Sequence, residues 1–364
     1  MPIRPIAVAR AAVGLLALMA GTVTHHALRA LFEASVVRAH EFERIPDLRF
    51  EELWPLTVVW SLAALGFALG VKTRLCAALM VAIVAFVFAA DQAIYAGYLY
   101  VVGLLTLLLT LAGGGAHAFG DGAVAAADAP AWPITLAKVQ VSLIYLFTAT
   151  AKLNFHFLSG SILRNSLFVP FPSHWPQLWF QLLALLVILT EYFLGIGLWV
   201  RSIRPAAFVV GLAFHCSIVV LLKGTVMDRL ELFVFGGATL TPYLFFVEAG
   251  FARRTVIWDD RCDPCHRWMG RIRRLDWLGI HDFRPSSAGE LQLIGIGAHH
   301  RGFVALREIL EALPVSFLWA PVLRLRPFRA IGERAYRAIA SRPVRHDFPV
   351  TGRAVGAFRP PEQT

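Results

Sequence analysis

The sequence predicts a multi-pass α-helical membrane domain of about eight helices, followed by a small α/β domain. Three observations predict it. The 364 residues are 57% hydrophobic and 16% charged, with a mean hydropathy of +0.63, whereas a soluble chain is about 45–50% apolar and about 25% charged. The long apolar runs lie before residue 250 and the arginine-rich stretch after it. Cys262 and Cys265, the one CxxC in the chain, fall in that second part. The boundaries that follow are 1–250 for the membrane domain, 254–343 for the α/β domain, and 344–364 for a disordered tail rich in Pro and Gly.

A spanning helix needs about 20 mostly apolar residues. Eight runs qualify as candidates: 5–27, 53–71, 75–95, 98–113, 133–153, 176–200, 205–222 and 230–247. Arg4 and Arg10 ahead of the first run also fit a signal peptide, but the run continues to histidines and an amphipathic stretch, which favours a retained helix. Basic residues give the helices a direction. Lys72 and Arg74, Arg201 and Arg204, and Arg253 and Arg254 occupy three connections that fall on one face of an eight-span bundle, together with the N-terminus. The positive-inside rule then puts both termini in the cytoplasm of a cell-membrane protein. The net charge of +10 is accounted for by the same arginines meeting anionic lipid. No nucleic-acid-binding motif accompanies it, so nucleic acid is not an expected partner.

Charge inside a bilayer is costly, about +2.5 to +3.5 kcal/mol at the centre on insertion scales. Asp91, Lys138, Lys152, Glu191 and His215 therefore stand out within the apolar runs. Asp91 and Lys152 are expected near the outer ends of their helices, with Glu191 and His215 deeper. Tyr145, Thr148 and Lys152 share one helical face. These residues read either as interhelical ion pairs and a snorkelling lysine, or as a pocket open to the outer side. In the pocket a desolvated Lys152 acts as a base, and Glu191 and His215 pair with it or relay protons.

The run Tyr145-Leu-Phe-Thr-Ala-Thr-Ala-Lys152-Leu153 resembles the helix of vitamin K-dependent gamma-carboxylase that carries its base lysine. Ala213-Phe-His215-Cys216, and Tyr98-Leu-Tyr100 followed by Gly103-Leu-Leu105, resemble two further carboxylase segments, and Glu191 with Arg201–Arg204 fits the wider HTTM membrane family. The resemblance covers about residues 5–248. It implies that Lys152 deprotonates a quinol and that the ligand is quinone-like or lipid-like. Two departures point away from protein glutamate as the substrate. Tyr95-Ala96 stands where the carboxylase has Asn-His, and Asn154 stands where it has an acidic residue.

In the second domain, residues 255–258 read as a strand, 262–275 as a helix, 280–283 and 291–296 as further strands, 297–302 as a turn, and 303–313, 317–325 and 330–341 as helices. Cys262 opens the first helix, where free N–H groups and the helix dipole favour a thiolate, and Arg261 and Arg267 add positive charge. Cys262 is then the attacking thiol and Cys265 resolves the mixed disulfide. A chemically inert pair is one competing reading, and zinc is the other. It needs four ligands, with His266, His281, His299 and His300 available beside the pair. Pro264 gives the CxPC form of thioredoxin-like sites.

Asp259, Cys262 and Cys265 stand at the signature positions of the DCC thiol–disulfide oxidoreductase family, which the segment 254–343 resembles through Gly302, Leu306, Pro314 and Tyr336. The resemblance implies a thioredoxin-like fold in which Asp259 supports the turn or proton transfer. Asp260 replaces the family's usual glycine, and Pro285 is the candidate for a cis-proline. The leading expectation is a membrane-bound thiol–disulfide oxidoreductase. It needs no cofactor or metal for dithiol exchange, and its partners are membrane lipid, a dithiol protein or a quinone. The alternatives are a carboxylase-like enzyme with Lys152 as base, and a non-catalytic transporter or scaffold.

Overall fold

The computed structural model describes residues 3–33, 50–90, 95–113, 130–167, 175–247, 254–259, 262–277, 279–286, 289–295, 298–313 and 315–340. Asp91, Arg253, Asp260, Arg261, Pro314 and the tail predicted for 344–364 lie outside these residues.

Helices occupy all eight predicted apolar runs. They are α1 (Ile3–Glu33), α2 (Leu53–Leu69), α3 (Thr73–Ala90), α4 (Gly97–Leu111), α5 (Trp132–Ala151), then two short helices α6 (Phe155–Leu158) and α7 (Ser161–Ser166), and α8 (Gln177–Gly197), α9 (Arg204–Leu221) and α10 (Val226–Leu240). A 3-10 turn, Thr241–Tyr243, carries α10 on into α11 (Leu244–Val247). Six of these are long and apolar enough to cross a membrane: α1, α3, α5, α8, α9 and α10 with its continuation. α2 and α4 have 17 and 15 residues, about 25 and 22 Å of helix against a bilayer core of about 30 Å. The eight expected spans are thus six full-length helices and two shorter apolar ones among the described residues.

Local chemistry sets the ends. Gly70, at φ +83°, closes α2, and a Cβ there would run into the Arg10 guanidinium 2.5 Å away; only glycine admits this approach. Thr225 and Asp228 form a capping box at the start of α10. Trp60 Nε1 donates to the Ala17 carbonyl at 2.6 Å, and His25 meets Thr57 at 2.9 Å, so α1 and α2 form an antiparallel hairpin. α10 also runs against α1, with Gly237 beside Leu16 and α11 beside the first turns of α1. Arg204 Nη1 donates to the Phe246 carbonyl at 2.9 Å. Arg10, the Gly70–Lys72 turn, Arg204 and the end of α11 therefore gather at one end of the bundle, as the basic clusters predict.

That end carries the second unit. β1 (Arg254–Asp259), α12 (Asp263–Leu275), β2 (His281–Ser286), β3 (Gln292–Gly295), β4 (Ala298–Arg301), α13 (Gly302–Ala312) and α14 (Arg326–Ala340) build a four-stranded mixed sheet with its helices. The order is β2-β1-β3-β4, with β1 and β2 parallel and the other pairs antiparallel. Its core holds Val256, Met269, Leu293, Ala305 and Ile309. Three expectations are corrected here. The segment read as a turn contains β4, because the residues from Ala298 to Arg301 pair with β3. Residues 316–324 form two 3-10 turns where one helix was expected, since Pro321 interrupts the run. Pro285 lies in the edge strand β2 opposite Trp258, where a missing N–H is tolerated, and no cis peptide bond occurs among the described residues.

The two halves touch. Phe317 packs edge-on against Phe208 of α9, ring centroids 4.6 Å apart. Arg201, in the α8–α9 turn, reaches Glu308 at 3.0 Å and Glu311 at 3.7 Å. Arg324 binds Glu311 as well, so arginines from both halves converge on the two carboxylates of α13.

Candidate functional site

Lys152 caps the C-terminal end of α5, and its Nζ lies 2.8 Å from both carboxylate oxygens of Glu191 in α8. The Glu191 side chain is 6% exposed and that of Lys152 27%. Lys152 stands at the C-terminal end of its helix, as its position in the apolar run suggests. Residues 154–167 continue as α6 and α7, packed on Phe180, Ala184 and Ile188 of α8. Gly160, at φ +75°, lies against the backbone of Phe180. Along α8, Glu191, which holds Lys152, is about eleven residues, roughly 16 Å, from Phe180 beside Gly160. Asn154 starts α6 by accepting from the Phe157 amide at 3.0 Å.

Two turns back along α5, the Tyr145 hydroxyl bonds His215 Nε2 of α9 and the hydroxyl of Tyr243, each at 2.8 Å. Tyr145, His215 and Tyr243 are all buried. Small residues permit this packing: a Cβ on Gly236 would meet His215 at 3.1 Å, and one on Gly211 would meet the Tyr243 hydroxyl at 2.4 Å. Sequence reasoning singled out Lys152, Glu191, His215 and Tyr145 but not Tyr243, whose one signal is a tyrosine inside an apolar run. Asp91 lies outside the described residues. Lys138, also singled out in the sequence, sits over the Phe246 ring at 5.2 Å, at the basic end.

The second candidate site lies at the end of β1. Cys262 is the N-cap of α12 and is joined to Cys265 by a disulfide, with Cα atoms 5.1 Å apart. The Cys265 amide donates to Cys262 Sγ at 3.3 Å. Beside the pair is a cavity of about 260 Å³, lined by Asp259, Trp258, Trp268, Leu306, Tyr336 and Ile339 among others. Asp259 is buried at its rim. The Tyr336 hydroxyl accepts from the Leu291 amide at 3.2 Å, and burial pushes its phenol pKa up. Among the described residues no three His, Cys, Asp or Glu side chains form a group that could hold a metal ion.

Apolar helices of spanning length, with a buried charge pair between two of them, define a polytopic helical membrane protein that carries a mixed α/β unit on one end. The HTTM domain model matches residues 1–227. The chain belongs to the HTTM family, the vitamin K-dependent carboxylase-like membrane proteins. No solved structure matches the chain. The family match takes in Lys152, Glu191, His215 and Tyr145, and ends before Tyr243 and before the disulfide.

Proposed function

We propose that the membrane domain is a carboxylase-like enzyme in which Lys152 takes a proton from a lipid-soluble, quinol-like substrate. The observation that carries this is the Lys152–Glu191 contact, made at depth within the family-matched helices. A proton passed from Nζ to a Glu191 oxygen leaves a neutral amine, and the carboxylic acid holds the displaced proton. The amine then accepts the hydroxyl proton of the substrate as general base. Tyr145 orients the His215 imidazole through its hydrogen bond, which fixes the ring beside the same helix. The test uses the full chain in lipid nanodiscs supplied with reduced vitamin K. With dioxygen supplied as the oxidant, hydroquinone oxidation above the protein-free rate is expected with the wild type and lost in Lys152→Ala; oxidation that persists in Lys152→Ala sinks the reading.

A specific observation favours a second reading for the α/β unit. The Cys262–Cys265 disulfide opens a helix directly after a strand, beside an apolar cavity, and a parallel strand pair joined by that helix is the setting of a thioredoxin-like dithiol site. In this DCC-like module a partner thiolate attacks the disulfide and forms a mixed disulfide, and the partner's second thiol releases Cys262 and Cys265 as thiols. In the reverse direction Cys262 attacks and Cys265 resolves, with Asp259 assisting proton transfer. A dithiol protein or a quinone serves as partner. The basic connections at this end support a cytoplasmic position for the unit. The family match supports the first reading; the second rests on the geometry of a unit the match does not reach. Loss of dithiothreitol-driven disulfide exchange in Cys262→Ser is expected, and unchanged exchange excludes it.

A further inference from the structure

We propose that the segment from Val315 through α14 is a lipid-binding surface that lays the α/β unit on anionic headgroups of the leaflet it adjoins. The proposal stands apart from either reading of the reaction.

Position is the first ground. Phe317 is held against Phe208, four residues into α9, so the neighbours of Phe317 lie within about a helical turn, 5.4 Å, of the end of a membrane span. Trp199 and Ile203, exposed at 45% and 39% in the adjoining α8–α9 turn, mark the same level. Tryptophan at the end of a spanning helix belongs to the headgroup boundary.

Chemistry is the second. From this anchor the chain presents Leu318, Trp319, Val322, Leu325, Phe328 and Ile331 as exposed apolar side chains, Trp319 at 50% and Ile331 at 63%. A run of this kind facing water marks an interaction surface. In α14, Phe328 and Ile331 project on one side by the 3.6-residue period, Arg326 and Arg337 project opposite, and Arg329 and Arg334 lie on the flanks. The helix carries four arginines and one acidic residue, Glu333. An apolar face bordered by arginines, held beside the end of a membrane span, fits acidic phospholipid: the apolar side chains enter the acyl boundary and the guanidinium groups rise to the phosphates. The rest of the apolar side of α14, at Gly332, Tyr336 and Ile339, walls the cavity beside the disulfide. Lipid contact therefore bears on the position of that wall.

The experiment places an environment-sensitive fluorophore at Phe328→Cys. The background is Cys76→Ala, Cys216→Ala, which removes the two free cysteines while Cys262 and Cys265 stay paired. Phe328 is 46% exposed, and a label at Ile331→Cys, 63% exposed on the same side, repeats the measurement should the first variant unfold. The full chain is reconstituted singly in nanodiscs containing lipid with a nitroxide high on the acyl chain. Strong quenching is expected with phosphatidylglycerol present. It should fall about two-fold in pure phosphatidylcholine or at about 1 M salt, and again with Ile331→Glu. Absent quenching overturns the proposal, as does quenching indifferent to lipid charge and salt. A label shielded only when two chains share a disc assigns the face to a second copy and also overturns it.

Discussion

Lys152 holds both oxygens of Glu191 at 2.8 Å, joining the last residue of one membrane helix to the interior of another. α5 ends there and two short helices follow it, so the ammonium stands at a helix end while its carboxylate partner lies within α8. Glu191→Gln leaves the cation facing a neutral partner in a mostly buried place. It should lower stability by about 2–5 kcal/mol, read as the thermal unfolding midpoint in detergent. The Lys152→Met, Glu191→Leu double variant should recover most of that loss, because no uncompensated charge remains. A double variant as unstable as the sum of its singles would remove the pairing as the cause.

Tyr145 is the hub of the buried trio, since its hydroxyl serves both His215 and Tyr243. Tyr145→Phe strands two buried polar groups and should cost about 1–3 kcal/mol. Tyr243→Phe strands none outright, because Tyr145 keeps His215, and should cost about 1 kcal/mol or less. Unfolding midpoints of the two variants should differ in that order. The reverse order would mean that Tyr243 has a further partner.

The disulfide closes a loop of three-residue separation. Loop-closure entropy for so short a loop is only about 2 kcal/mol, so the α/β unit should remain folded when the disulfide is reduced. Maleimide labelling of the native chain in nanodiscs is expected to leave Cys216 largely unmodified, since its exposed side lies in the lipid-covered middle of α9, and to gain two sites on mild reduction with unchanged far-UV circular dichroism. Loss of secondary structure on reduction would show the bond to be a structural staple rather than an exchangeable one.

Glu308 gives the junction a pH dependence. Burial alone raises its carboxyl pKa, but Arg201, Arg307 and Arg324 together outweigh that and hold it below the ordinary glutamate range. A depressed folded pKa contributes stability that is complete above the unfolded value of about 4.3 and is lost as pH falls through the lower folded value. Hydrogen exchange in α13 should therefore quicken as pH drops below about 4.3, after correction for intrinsic rates. Glu308→Gln should abolish that acid limb. Arg201→Ala should weaken it, since this arginine is the contact from the membrane half.

Much of this molecule was legible in its sequence. Apolar run length located the eight helices, because a segment of that hydropathy has few other stable fates in a bilayer. The basic connections showed which helix ends belong together, and the Arg10–Gly70 and Arg204–Phe246 contacts agree. Two apolar helices are shorter than the runs that predict them, because residues such as Val71 and Ala112 extend the hydropathy of a run beyond its hydrogen-bonded helix. β4 was missed because Ala298 to Arg301 looks like a turn until β3 offers its edge. Position in a run does not show that α6 and α7 follow α5, and Asn154 as a cap is a weak local signal.

By itself the sequence determined the membrane class, the helix positions, the candidate polar residues and the strand–CxxC–helix junction, all set by local periodicity and composition. Tertiary structure alone decided that Lys152 meets Glu191, that Tyr145 bridges His215 and Tyr243, and that Arg201 grips Glu308. These partners are 39, 70, 98 and 107 residues apart. Which helices become neighbours, and at what depth, is settled by packing at glycines such as Gly160, Gly211 and Gly236, and no local pattern encodes it.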